Sequence, residues 1–137
     1  MAEPILELIS VTRTVDGTVL VHDVDWRVDR GQNWVVLGPN GSGKSSLLRI
    51  ANLHLHPSSG SVRVLGELLG STDVRALRRR VGYTSAALAD SFRPGIRSVD
   101  VVMTALNGAL EPWWHTYSNA DHEQARRQLQ RIGCVDR

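Results

Sequence analysis

Between positions 38 and 45 the chain reads Gly38-Pro39-Asn40-Gly41-Ser42-Gly43-Lys44-Ser45, and each residue type in that G-x-x-x-x-G-K-S spacing has a chemical use. Glycines let the backbone curl into a nest of N–H groups with no β-carbon in the way. A helix starting at about Lys44 would turn its free N–H groups and its positive dipole end toward the same point. Convergent donors, an ammonium and a helix start suit an oxygen-rich anion, namely the phosphate tail of a nucleoside triphosphate. Lys44 would place its ammonium against the β- and γ-phosphates. Ser45 offers a hydroxyl to Mg²⁺, and Ser46 can donate to the α-phosphate. The nucleotide-binding set is therefore Gly38, Pro39, Asn40, Gly41, Ser42, Gly43, Lys44, Ser45 and Ser46, with Ser45 as the metal ligand. Lys44 is also the candidate for a part in turnover.

Such a loop needs a strand running in and a helix running out. Trp34-Val35-Val36-Leu37 is an apolar run without alternation, which predicts a strand buried on both faces. After the loop, Leu47, Leu48, Ile50 and Ala51 predict the buried side of a helix. Ahead of it, residues 5–12 read as a strand and Asp16-Gly17 as a hairpin turn. Val24, Trp26 and Val28 then alternate with Asp23, Asp25 and Arg27 in a half-buried strand. Asp29-Arg30-Gly31-Gln32 is a second turn, Pro57-Ser58-Ser59-Gly60 a loop, and residues 61–65 a short alternating strand. Asp73 predicts the cap of a short helix ending at Arg78-Arg79-Arg80, and residues 81–84 another inner strand. From about Ser98 the period becomes helical, through Val99, Val102, Met103 and Leu106. The last helix is predicted from an N-cap at Asn119 to a stop at Gly133, with Ala125, Leu129 and Ile132 as its buried stripe. The fold class expected is α/β: a P-loop core with inner parallel strands, an N-terminal antiparallel β layer and the start of a helical subdomain.

Composition narrows the functional classes. The chain has 137 residues, 42% hydrophobic and 22% charged, which is ordinary for a folded domain. A net charge of +2 carries no general nucleic-acid signal, so no nucleic-acid partner is expected. One cysteine, Cys134, excludes an internal disulfide and suits a reducing compartment; it reads as a small, semi-buried apolar residue. Met1-Ala2-Glu3-Pro4 has neither the basic nor the apolar region of a secretion signal, and no apolar run is long enough to span a bilayer. The arginine run reads as a solvated helix end, and His54 and His56 as surface-loop residues without a third metal ligand.

The stretch from Leu37 to Leu48 resembles the Walker A segment of ATP-binding cassette (ABC) transporter ATPases. Gly31-Gln32 before it, Pro57-Ser58-Ser59-Gly60 with Val62 and Val64 after it, and Leu77-Arg78-Arg79-Arg80-Val81-Gly82-Tyr83 are similar to the same family. The resemblance covers residue 5 to about residue 137, with 1–97 as the N-terminal part of a cassette and 98–137 as the start of its helical subdomain. It implies ATP with Mg²⁺, a membrane-spanning transporter subunit as partner, a second cassette in a dimer, and a cytoplasmic place at the membrane. Val15 stands where such cassettes carry an adenine-stacking aromatic, and Ala86, beside Ser85, where they carry the Q-loop glutamine. The family's signature, Walker B carboxylates and switch histidine have no counterpart, so the chain by itself is expected to bind ATP without turning it over. In that family the helical subdomain meets the membrane partner, and Trp113-Trp114 reads either as a docking anchor there or as core. A soluble ABC-type ATPase and a nucleotide-binding remnant without turnover stay open as alternatives. A GTPase would show Asn-Lys-x-Asp, which is missing.

Overall fold

The structure, a computed structural model, describes residues 3–112 and 114–134. The chain divides into two compact units, Met1–Val74 and Arg75–Arg137.

The first unit is built on an antiparallel hairpin. Strands β1 (Leu6–Val15) and β2 (Thr18–Val28) pair from Leu6↔Val28 to Val15↔Thr18. Asp16 and Gly17 join them with φ of +47° and +78°, the left-handed pair that matches the twist of a two-residue hairpin. Strand β3 (Ser59–Val64) adds to the other edge of β1, and β4 (Glu67–Leu68) pairs with β3. The order is β2-β1-β3-β4, all neighbours antiparallel. The ladder slips between Leu8 and Val11 and again before Arg13. Side chains take over the backbone groups freed there: Ser10 N donates to Asp25 Oδ1 at 2.7 Å and Asp23 N to Thr12 Oγ1 at 2.9 Å. Leu8, Val11, Val21, Val28, Val62 and Val64 form the buried face. Helix α1 (Lys44–Ala51) and the turn after it add Ile50, Ala51 and Leu53. Of the helix's expected buried side, Leu47 is half-buried and Leu48 is 37% exposed, so the stripe is narrower than its apolar residues suggest.

The expected inner strand at 34–37 is not formed. The segment carries no ladder, and Trp34, Val35 and Leu37 are 54%, 79% and 86% exposed. Apolar content shows that a segment favours burial; it becomes a strand only if a neighbour supplies the hydrogen-bonding partners. Among the described residues no strand pairs with it. Trp34 is held locally instead: its ring meets Trp26 edge-on at 5.9 Å, and Nε1 donates to Gln32 Oε1 at 3.1 Å. Residues 81–84 fail as a strand for the same reason.

The second unit is helical. Helix α2 (Val74–Arg78) follows Asp73 and leads into it, burying Leu77 and leaving Arg79 and Arg80 exposed after its last turn. Helix α3 (Ala86–Ala89), not anticipated, is capped by Ser85, whose Oγ accepts the Leu88 N–H at 3.1 Å. Helices α4 (Ser98–Thr104) and α5 (Asn119–Arg131) pack Val99 and Met103 against Ala125 and Leu129, with Val102 and Tyr117 alongside. Leu106 falls in a 3₁₀ turn (Ala105–Asn107) that re-aims it, and it stays exposed.

Three expectations for the last helix are corrected. Its N-cap is Ser118, one residue before Asn119: Ser118 and Asp121 form a reciprocal capping box, which needs an acceptor three residues on. Ile132 lies beyond the last helical turn and is exposed. Cys134, past the left-handed Gly133, is exposed rather than semi-buried.

Candidate nucleotide-binding site

The glycine loop takes the curl that its residues favour. Gly41 and Gly43 take φ of +82° and +84°, and Ser42 N donates to Pro39 O at 3.3 Å to close the curl. Gly43 is the N-cap of α1, and having no side chain it caps nothing. Its carbonyl accepts Leu47 N at 2.8 Å, which starts the helix. The first-turn N–H groups of Lys44, Ser45 and Ser46 thus have no side-chain cap, and no acidic residue stands in that turn. Helix α5 is the contrast. There Ser118 Oγ takes the Asp121 N–H at 3.2 Å, and the Asp121 carboxylate takes Ser118 N at 2.8 Å and Ser118 Oγ at 2.7 Å. Those bonds hold the Asp121 carboxyl below its ordinary range, the hydroxyl contributing more than the backbone. One helix start has its own anion built in. The other presents donors and a cation.

Lys44 supplies the cation. Its Nζ donates to Pro39 O at 2.6 Å and Gly38 O at 2.8 Å, with Ser42 Oγ at 3.5 Å. The ammonium therefore lies over the loop it belongs to, with Ser42 as the side-chain neighbour. Ser45 is exposed and Ser46 half-buried on the first turn of the helix.

The loop is wedged against the sheet. A β-carbon on Gly43 would lie 2.1 Å from Leu20 O, so glycine is required for β2 and the loop to touch. Along this contact runs a cleft of about 430 Å³, lined by residues 19–22 and Val24 of β2, by Val36 and Leu37, and by residues 41–44 and Leu47. Its walls are mostly apolar, and among the described residues no carboxylate lines it. The β2 wall was not legible as part of a site. No motif marks its residues.

The other anticipated positions are placed as follows. Val15 sits at the end of β1 beside the hairpin turn, partly exposed. Ser85 is the cap of α3 and Ala86 its first residue. Trp114 is 83% exposed, while Trp113 lies outside the described residues. No group of three or more His, Cys, Asp or Glu residues suited to a metal occurs among the described residues, His54 and His56 included.

Comparison with known proteins agrees with this geometry. The family model for ABC transporters matches residues 21–137. The chain belongs to the ABC transporter family. It is 32% identical over 131 residues to an uncharacterized ABC transporter ATP-binding protein, YmeB, of Lactococcus lactis, covering 95% of this chain and 50% of that protein. It is 32% identical over 145 residues to the phosphonates import ATP-binding protein PhnC of Lactobacillus gasseri, covering 98% of this chain and 54% of PhnC. A solved dimeric ATP-binding cassette, MJ0796, in a post-hydrolysis state bound to ADP and Pi, superposes with a TM-score of 0.74 at 21% identity, over 91% of this chain and 56% of that one. That match supports the α/β P-loop fold. The chain spans about half the length of the curated relatives it matches.

Proposed function

We propose that this chain provides the phosphate-binding part of the ATP-binding component of an ABC-type transporter. The observation that carries the reading is the pairing of an uncapped helix start with an ammonium folded over the glycine loop. The backbone donors of residues 41–46 would cradle the triphosphate tail, with Gly38, Pro39 and Asn40 forming the curl that brings them together. Lys44 would turn from its loop carbonyls to the outer phosphates.

Mg²⁺ suits this donor set. The ion keeps much of its water shell and is bound mainly through substrate phosphates and one or two protein oxygens. The exposed Ser45 hydroxyl meets that need without a carboxylate cluster. Bound there, the ion would neutralise charge on the phosphates.

The fuller setting follows from the family and is part of the same proposal: a cytoplasmic place at the membrane through a membrane-spanning subunit, a second cassette across a dimer, and residues 98–137 as the start of a helical subdomain after the N-terminal part of a cassette in residues 1–97. The exposed Trp114 supports its reading as a docking residue. No helix among the described residues is long and apolar enough to cross a membrane.

The deciding experiment is a titration of Mg-ATP into the wild type and Lys44→Ala. A charge-assisted contact is worth about 1.5–3 kcal/mol, so the variant should bind roughly ten- to a hundredfold more weakly with its fold unchanged by circular dichroism. Equal affinity in a folded variant removes the reading.

A further inference from the structure

Arginine is seldom covered by protein unless its donors are paired. Arg13, in β1, departs from that rule. The residue is half-buried, and its Nε is shielded from solvent with no hydrogen-bond partner among the described residues. Glu7, on the same strand, pairs with Arg27, and Asp25 Oδ1 accepts the Ser10 N–H. No carboxylate among the described residues forms an ion pair with Arg13. A shielded donor left unmet costs stability, so Arg13 has a gain in store for any acceptor that reaches it.

The strand register says where such an acceptor would lie. Arg13 stands directly opposite Val21. Directly opposed residues of an antiparallel pair project from the same face, with β-carbons about 4.5–5.5 Å apart. Val21 is the residue whose side chain meets the glycine loop: its Cγ2 lies 3.5 Å from where a β-carbon on Gly43 would be. It also lines the cleft beside residues 41–44. Arg13 therefore leaves the sheet on the face that carries the loop, one strand behind the cleft wall. Its long stem can carry the guanidinium past the short side chain of Val21.

We propose that Arg13 is a second cation of the nucleotide site and binds the phosphate tail beside the glycine loop. The proposal rests on the nucleotide-binding reading and extends it to a residue outside the motif. The two cations differ in kind. Lys44 is a point charge, with its Nζ on the carbonyls of Gly38 and Pro39. A guanidinium offers a planar fork of donors that matches phosphate oxygens. Bound phosphate would pair the Nε that the free chain leaves unpaired. Arg13 thus raises affinity at the expense of the free protein's stability.

The test compares wild type, Arg13→Met, Arg13→Lys and Lys44→Ala. Calorimetry gives their affinities for Mg-ATP and for inorganic tripolyphosphate with Mg²⁺, and urea unfolding without ligand gives their stabilities. Methionine keeps an apolar stem and removes both charge and donors. Arg13→Met should bind both ligands about ten- to a hundredfold more weakly. Without ligand it should be at least as stable as the wild type. Arg13→Lys, which keeps the charge and gives up the fork, should bind between the two. Wild-type affinity for both ligands in Arg13→Met overturns the proposal, as does lysine binding no better than methionine. A loss confined to ATP also overturns it, by placing Arg13 on the nucleoside. So does an Arg13→Met protein that is unfolded or destabilised without ligand, which would make the arginine a structural residue. Weak binding by Lys44→Ala beside normal binding by Arg13→Met removes Arg13 alone. If Lys44→Ala binds both ligands as the wild type does, the underlying nucleotide reading falls.

Discussion

Gly41 and Gly43 form a matched pair of probes for how the loop is held. Their backbones are nearly the same, with φ of +82° and +84°. An L residue in this left-handed region costs about 1–2 kcal/mol, and that term is common to both. Clearance separates them. A β-carbon at Gly41 meets nothing within 4 Å, whereas at Gly43 it would lie 2.1 Å from Leu20 O, 3.2 Å from the Leu20 carbonyl carbon and 3.5 Å from Val21 Cγ2. The obstacle is backbone of a strand fixed in its ladder, so it cannot rotate aside as a side chain would. The loop would have to retreat, at an overpacking cost of about 1–3 kcal/mol. Gly41→Ala should therefore lose about 1–2 kcal/mol of stability, and Gly43→Ala about 2–5 kcal/mol. Gly43→Ala should also lose Mg-ATP affinity in material that is still folded, because the first N–H groups of α1 move with the loop. Urea unfolding followed by Trp26 and Trp34 fluorescence, with nucleotide titration at low urea, reads both. Equal stability losses in the two variants would refute the wedge of the loop against Leu20.

Three further outcomes are expected. With Val15 at the stacking position and apolar walls along the cleft, ATP and GTP should bind within about threefold of each other, since phosphate contacts common to both dominate; a strong ATP preference in a competition titration would show that another side chain reads the base. Phosphate release at saturating Mg-ATP should be no faster for this chain than for Lys44→Ala, because no carboxylate lines the cleft to orient a water; multiple turnover that disappears in Lys44→Ala would contradict this. Ser118→Ala should cost about 1 kcal/mol as a lost cap and return the Asp121 carboxyl toward its ordinary range. Because that carboxyl is held low in the fold, the box stabilises above the ordinary carboxylate range and is lost as pH falls through the lowered value. Carboxyl NMR titration of both proteins checks the shift.

The parts of the structure legible in the sequence are those whose causes are local. Asp16-Gly17 makes a hairpin because two adjacent residues accept left-handed geometry, and α1 starts at Lys44 because Gly43 ends the curl. The motif residues 38–46 lie together across the loop and the first turn of α1 for the same reason. What escaped has non-local or competing causes. Gly133 stops α5 as expected, but the start of the helix lies one residue off and its stripe is one member shorter. Ser118 outbid Asn119 because a capping box adds a second bond, and Ile132 fits the stripe by spacing but lies past the last turn. β4 is two residues long and exists because β3 offers it an edge.

Residues 34–37 carry this distinction furthest. The same run of apolar residues that should feed the phosphate loop is unpaired and largely exposed, held at one end by Trp26 and Gln32. Yet the loop directly after it keeps its curl, its ammonium position and its helix start. The geometry of the cradle must therefore come from elsewhere: from the glycines' own backbone freedom, from α1, and from the contact of Gly43 with Leu20. Those supports belong to the first unit and to segments close in sequence. A loop held in that way needs no ladder under the segment that enters it. Large exposed apolar side chains nevertheless favour cover, so binding and stability are separable here. Replacing Val35 and Leu37 with threonine should raise solubility and leave Mg-ATP affinity within about twofold, because neither change touches the loop's donors. A large loss of affinity in a soluble, folded Val35→Thr/Leu37→Thr protein would show that the entering segment, and not the Leu20 contact, holds the cradle in shape.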